Sequence, residues 1–429
     1  MGKKPLKAAA AIIAVLIISM GIIYVLFSVV PQSKPMSDQS SEENSIASVD
    51  ASGDESLDYV ESSGVESTEP KELKADLSVI KDYEDKYFVK KLSEENKYYF
   101  CELYRAAEAH KESVEFDIPL NEDELSVLMH ILNYDCPELI HLNGEYFSNK
   151  TGDKAEYVNK VTFSYCMTEE RYADALDELD IFFEKLVSDL DGKSEYEKEK
   201  YVYDYIFTTC NYDELTDISG SAYGALLEGS GRCEAYCKAF MWCMRRLGIE
   251  CLCVSGGQNW DLDSMFSEHS WNIVKIDGDW YHVDITVDNV RHGSEADNPP
   301  NYGFFNADDS YINESHEISD FYLRLGIPKC SSFKLNYHKM NNLFVTSGNA
   351  EEKLKGIMLE HFDEAGIDNL SVRFESSDDY NRILGNMEGF ITEFLIGNSE
   401  DIFEYNTHYN KLSKTIIINL KKKDTSEGE

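Results

Sequence analysis

The chain has 429 residues, 42% of them hydrophobic and 12% aromatic, enough for roughly three domains of ~150 residues with a substantial core. That composition excludes collagen, wholesale disorder and small cysteine-stapled scaffolds. Lys and Arg total 40 against 80 Asp and Glu, a formal charge of -40, which repels phosphate backbones and argues against nucleic acid as a partner.

Lys3, Lys4 and Lys7 precede an uncharged apolar run over residues 8–30. As a helix the run would span roughly 34 Å, against a hydrocarbon core of ~30 Å. It is longer than the ~7–15 apolar residues of a signal peptide and ends at Val30-Pro31. An uncleaved single-pass anchor in the lipid bilayer is therefore expected, with residues 1–7 cytoplasmic and the rest extracytoplasmic. Residues 31–75 are rich in Ser, Asp and Glu without periodicity. Such a segment cannot bury enough apolar surface to offset its ordering entropy and reads as a disordered acidic stalk.

Residues 76–195 read as a helical region interrupted by strands. Aromatic and leucine positions from Tyr87 to Leu103 and residues 124–132 have helical spacing. Strands are expected at 145–147 and 160–165 around the turn-rich 148–153, then helices at 168–190 and 194–210. After Gly229-Ser230-Gly231, residues 232–247 form a well-marked helix. Tyr236, Phe240, Cys243 and Leu247 lie on one stripe, Arg245 and Arg246 in the last turn, and Gly248 at the left-handed cap. A strand at 250–255, a polar loop at 256–268 and strands at 269–276 and 279–286 follow, the last two joined by Asp277-Gly278, a strong hairpin signal. Residues 341–429 read as a C-terminal α/β unit with a disordered tail: strands at 343–346, 370–374 and 415–420, helices at 350–365 and 378–395.

Cys233 falls in the first turn of its helix, where unpaired N–H groups and the positive dipole end favour thiolate. Arg232 beside it would help and Glu234 would hinder. Taken alone, Cys233 reads first as a small packing residue or half of a disulfide rather than as a nucleophile. With Asp277 and Gly278 as a two-residue loop, His269 faces Thr286 and Trp271 faces Asp284, making His269 and Asp284 diagonal neighbours at ~7–8 Å. Cys, His and Asp together are what a thiol acyl-transfer site needs: a nucleophile, a proton carrier and a group that holds the imidazole tautomer.

Ser221-Ala222-Tyr223-Gly224-Ala225-Leu226-Leu227, Gly231-Arg232-Cys233-Glu234-Ala235-Tyr236, Leu247-Gly248-Ile249-Glu250, His269-Ser270-Trp271-Asn272-Ile273-Val274 and Trp280-Tyr281-His282-Val283-Asp284 resemble the bacterial transglutaminase-like superfamily, over residues 196–289. The resemblance implies an α+β, papain-like core at 196–340, with Cys233 as nucleophile, His269 as general base and acid, and Asp284 as the orienting residue. Weaker likeness extends to Tyr302-Gly303-Phe304-Phe305-Asn306 and a following His316. The sequence departs from the family at Ala235, usually glycine, and at Val287-Asp288-Asn289, which bears on the cleft wall. The Cys233 N–H and a second upstream group, with Tyr223 a candidate, are expected as oxyanion donors.

The expected function is a cell-surface cysteine peptidase, amidase or transglutaminase acting on protein or peptide substrates. The alternative is a surface module that keeps the groove and binds peptides without chemistry. No cofactor or metal is expected. Serine-hydrolase, P-loop and zincin motifs are absent, and Cys233, Cys237, Cys251, Cys253 and His282 lack metal-ligand spacing. The cysteines are expected to be mostly reduced and buried, and the oligomeric state stays open.

Overall fold

A computed structural model describes residues 73–151, 157–258, 267–289 and 299–423. The expected anchor, almost all of the stalk and the last six residues lie outside these. No helix among the described residues is long and apolar enough to cross a membrane.

Helix α1 (Glu94–Glu108) starts at Ser93, whose side chain accepts from the Asn96 amide, and buries Tyr99, Phe100, Leu103 and Tyr104. Strand β1 (Ser113–Asn121), helix α2 (Glu122–Asp135) and strands β2 (Leu142–Thr151) and β3 (Tyr157–Tyr165) follow. The strands form an antiparallel sheet in the order β1-β3-β2. Strand β1 has no counterpart in the sequence pattern. Its pairing slips between Glu115 and Leu120, so only Phe116 and Leu120 are buried and the alternation that marks a strand is missing. Helix α3 (Glu169–Leu190) buries a stripe from Tyr172 through Leu179 and Phe183 to Leu190, and α4 (Glu195–Thr209) begins with a Ser194/Glu197 capping box.

Helix α5 (Cys233–Arg246) is buried along nearly its whole length. It packs on a second sheet built from β4 (Cys251–Gln258), β5 (Ser267–Ile276), β6 (Asp279–Val283), β7 (Phe305–Ala307) and β8 (His316–Ile318). The order is β8-β4-β5-β6-β7, antiparallel throughout. Cys251, Cys253, Val274 and Ile276 share the core of α5, while Leu252, Val254, Trp271 and Ile273 share that of the N-terminal region. Both faces of the sheet are covered, and its strands read as apolar runs for that reason. A disulfide between Cys237 and Cys253 ties α5 to β4. The other eight cysteines are free, all but Cys166 and Cys233 buried.

The hairpin has the expected register, from Ile276↔Asp279 to Asn272↔Val283. Asp277 and Gly278 have φ of 51° and 88°, the left-handed pair that a two-residue turn requires. Strand β6 nevertheless stops at Val283, three residues short of expectation. Asp284 Oδ1 accepts the Val287 amide at 3.0 Å, which turns the chain into the short helix α6 (Ile285–Asn289). Thr286 therefore does not face His269, whose strand partner is Gly256.

The C-terminal elements are β9 (Phe344–Val345), α7 (Ala350–His361), β10 (Gly366–Phe374), α8 (Ser377–Leu384), α9 (Met387–Asn398), β11 (Phe403–Asn410) and β12 (Thr415–Lys422). The sheet order is β9-β10-β12-β11. The single helix expected at 378–395 is two, broken at Gly385-Asn386, and the half-exposed β11 carries no apolar signal. These elements have their own core, yet residues 70–429 form one compact unit. Ser371 donates to the Asn301 carbonyl at 2.7 Å, Tyr311 to that of Ser413 at 2.7 Å, and Asn410 to that of Val287 at 3.2 Å.

Arg245 binds α2 to this frame. Its guanidinium meets the Asp135 carboxylate, the Asp135 carbonyl at 2.7 Å and the Cys251 carbonyl at 2.9 Å, while the other Asp135 oxygen accepts the Phe88 amide at 3.0 Å. Removing one partner of a buried pair strands the other charge, at about 3–5 kcal/mol. Asp135→Ala should lose that much stability in urea denaturation; a loss below about 1 kcal/mol, the scale of a solvated pair, would contradict the burial argument.

Candidate active site

Cys233 is the first residue of α5, so its N–H has no acceptor one turn earlier within the helix. The preceding Gly231 is required by packing, since a Cβ there would stand 2.5 Å from the Ala235 Cβ. Cys233 and His269 line one cleft of about 1100 Å³. His269 lies on β5 and is 2% exposed, and its Nε2 is 2.6 Å from Asp284 Oδ2. With Nε2 engaged by Asp284, Nδ1 is the nitrogen on the side of the Cys233 thiol, whose proximity is among the causes that raise the ring's pKa. Burial alone would push the imidazole pKa down. The charge and hydrogen bond of Asp284, with the Cys233 contact, outweigh it and raise the pKa to about 10.

Asp284 sits just past β6, fully buried. Burial would raise its pKa, but His269 and His316 hold it well below the usual carboxylate range. His316 Nε2 donates to Asp284 Oδ2 at 2.9 Å, and His316 Nδ1 meets Ser315 Oγ at 2.9 Å. Burial, opposed by Asp284, lowers the His316 pKa, so this ring serves as a neutral donor. Beside Cys233, Glu234 is bound by Arg232 at 2.8 Å, Lys238 at 2.7 Å and Asn133 at 2.7 Å. Its carboxylate, which burial would otherwise raise, stays ionised, and two cations offset the charge expected to oppose a thiolate.

Tyr223 does not supply the second oxyanion donor. Its hydroxyl is held by Glu178 at 2.6 Å and Glu228 at 3.1 Å. Tyr134 and Tyr212 line the cleft with Cys233, and burial pushes both upward; the Tyr212 hydroxyl donates to Glu214 at 2.7 Å, which leaves Tyr134 as the candidate donor. Tyr134 comes from α2, with nothing in the sequence to link it to Cys233. His316 was visible only through the weaker likeness. Asp288 and Asn289 are buried in the core rather than on the cleft wall. Tyr203 and the Phe304 amide donate to Asp288 at 2.7 and 2.9 Å, and Asn289 accepts from Tyr236 at 2.9 Å.

Among the described residues, two groups have donor atoms close enough for a metal: His269, Asp284 and His316, and His282, Asp309 and Cys330. Hydrogen bonds account for both. In the second, Trp271 Nε1 donates to His282 Nδ1 at 3.1 Å, leaving the Nε2 proton for Asp309 at 3.0 Å.

Residues 184–285 match the family model described as Transglut_core, the transglutaminase-like superfamily. That stretch is a transglutaminase-like core of mixed helix and strand content, and it contains Cys233, His269 and Asp284. No curated protein matches the chain. Among solved structures it is similar to one described as a TGase, at 15% identity and a TM-score of 0.24, over 43% of this chain and 53% of the other. A second, described as a "Putative Cysteine Protease from Cytophaga hutchinsonii", is 17% identical with a TM-score of 0.23, over 33% of this chain and 61% of the other. This chain thus spans less than two thirds of either.

The buried pair makes stability depend on pH. A raised His269 pKa contributes stability that is full below the ordinary ~6.5 and is lost as pH rises through the folded value, about 10. The lowered Asp284 pKa contributes stability that is present above the ordinary ~3.9 and is lost as pH falls toward its depressed value. Urea midpoints of wild type and His269→Gln should differ most between about pH 4 and 6.5 and converge toward pH 10. A gap that stays constant from pH 5.5 to 10 would rule the coupling out.

Proposed function

We propose that this protein is a thiol acyl-transfer enzyme acting on amide bonds of proteins or peptides, anchored at the outer face of a membrane. The observation that carries the reading is the buried His269, hydrogen-bonded through Nε2 to Asp284 at 2.6 Å and lining one open cleft with Cys233. Asp284 keeps a proton on Nε2, so Nδ1 takes the thiol proton. The Cys233 sulfur then attacks the amide carbonyl carbon, and the resulting oxyanion lies by the Cys233 N–H at the helix start. As the C–N bond breaks, His269 returns its proton to the departing amine and a thioester remains. Water or a second amine, deprotonated by His269, attacks the thioester and regenerates the thiol. Water makes the enzyme a peptidase or amidase, and an amine makes it a transglutaminase.

The location rests on the uncharged run at 8–30 behind three lysines. The Cys237–Cys253 disulfide supports an oxidising compartment.

Two assays test the chemistry: hydrolysis of labelled casein and incorporation of a labelled alkylamine into it. Cys233→Ser should abolish whichever activity is present, and Asp284→Asn should reduce it on the order of 10³–10⁴-fold. Alkylation of Cys233 by iodoacetamide at pH 6.5, read by mass spectrometry, should slow by roughly tenfold or more in His269→Ala. Activity unchanged in Cys233→Ser, or alkylation indifferent to His269, would turn the reading toward a peptide-binding module.

A further inference from the structure

A second cavity of about 580 Å³ opens where the C-terminal sheet meets the segment after β7, and it shares no lining residue with the catalytic cleft. Arg373, on β10, lines it. In a chain of net charge -40, this guanidinium is 3% exposed, and its Nε and Nη1 have no hydrogen-bond partner. Its central carbon lies 3.2 Å from the Tyr311 ring centroid, 5.0 Å from that of Phe333 and 5.2 Å from that of Phe344. Aromatic faces stabilise the charge but satisfy none of its N–H donors. A buried cation is normally paired and hydrogen-bonded.

The acids around the cavity, Glu314 and Asp308 among those whose charges act on Arg373, make their hydrogen bonds and ion pair with other groups. Glu314 pairs with Lys414 at 2.6 Å, Asp308 accepts from the Tyr311 amide at 2.9 Å and Ser310 Oγ at 2.7 Å, and Glu375 accepts the Ser347 amide at 2.7 Å. Lys339 adds a second cation to the wall, its Nζ 5.6 Å from the Phe333 ring. We propose that this cavity binds a small oxyanion, a carboxylate or a phosphate, through Arg373 and Lys339 between the aromatic walls. The occupant would tie the C-terminal sheet to Tyr311. Tyr311 stacks on Phe304 at 5.3 Å, and Phe304 packs on His316 at 5.1 Å.

The test is titration of the full chain with inorganic phosphate, acetate and citrate in turn, at ionic strength held constant with chloride. Calorimetry reads binding, and the thermal midpoint reads stabilisation. The expected result is saturable binding of phosphate or of a carboxylate, with a raised midpoint, weakened roughly tenfold by Lys339→Ala and by Arg373→Gln. Which anion saturates identifies the class. Where Arg373→Gln fails to fold, Lys339→Ala decides alone. No saturation beyond the chloride control, or equal affinity in the variants, overturns the proposal.

Discussion

A carboxylate at position 284, wholly out of water, constrains everything around it. A buried charge is tolerated only when it is paired and its lone pairs are filled. Asp284 meets that demand with His269 at 2.6 Å, His316 at 2.9 Å and the Val287 amide at 3.0 Å. These donors come from β5, β8 and α6, so satisfying one side chain fixes where three elements converge. The same charge makes His269 basic enough to hold a thiol proton.

The surrounding packing serves that convergence. Strand β8 reaches β4 through Gly256, where a Cβ would stand 2.0 Å from the Glu317 carbonyl oxygen. Any larger residue there would push His316 off Asp284. One turn after Asp284, Asp288 meets different surroundings. It is held by hydrogen bonds and makes no ion pair among the described residues, and burial pushes its pKa up to about 8. Two aspartates four residues apart thus take opposite states, one a fixed charge and the other a carboxyl that fastens α6 to the Phe304 loop.

Local order carried most of what the sequence disclosed. Helix α5, its glycine-bounded start, the Asp277-Gly278 turn and the hairpin register depend on neighbours within a few residues, and each left a pattern that spacing can read. Strand β1 left none, because its slipped register erases alternation. The end of β6 was missed because a side chain, Asp284, caps the turn that stops it. Tyr134 and His316 approach the site from distant segments, and such meetings leave no trace in periodicity. Arg373 among three aromatic rings was invisible for the same reason.

The family match ends at residue 285, and this limits what it can say about substrate. His130 and Tyr134 precede the matched stretch, while Glu317, Ile318, Ser319 and Asp320 follow it, and all six line the cleft. Cys233, His269 and Asp284 lie within the matched stretch, but much of the wall of their cleft comes from outside it. Under the proposed function, chemistry and selectivity would come from different parts of the chain. In that reading, the roles of Cys233, His269 and Asp284 rest on the matched stretch, whereas preference for the sequence flanking a target amide would be set by walls supplied by α2 and β8.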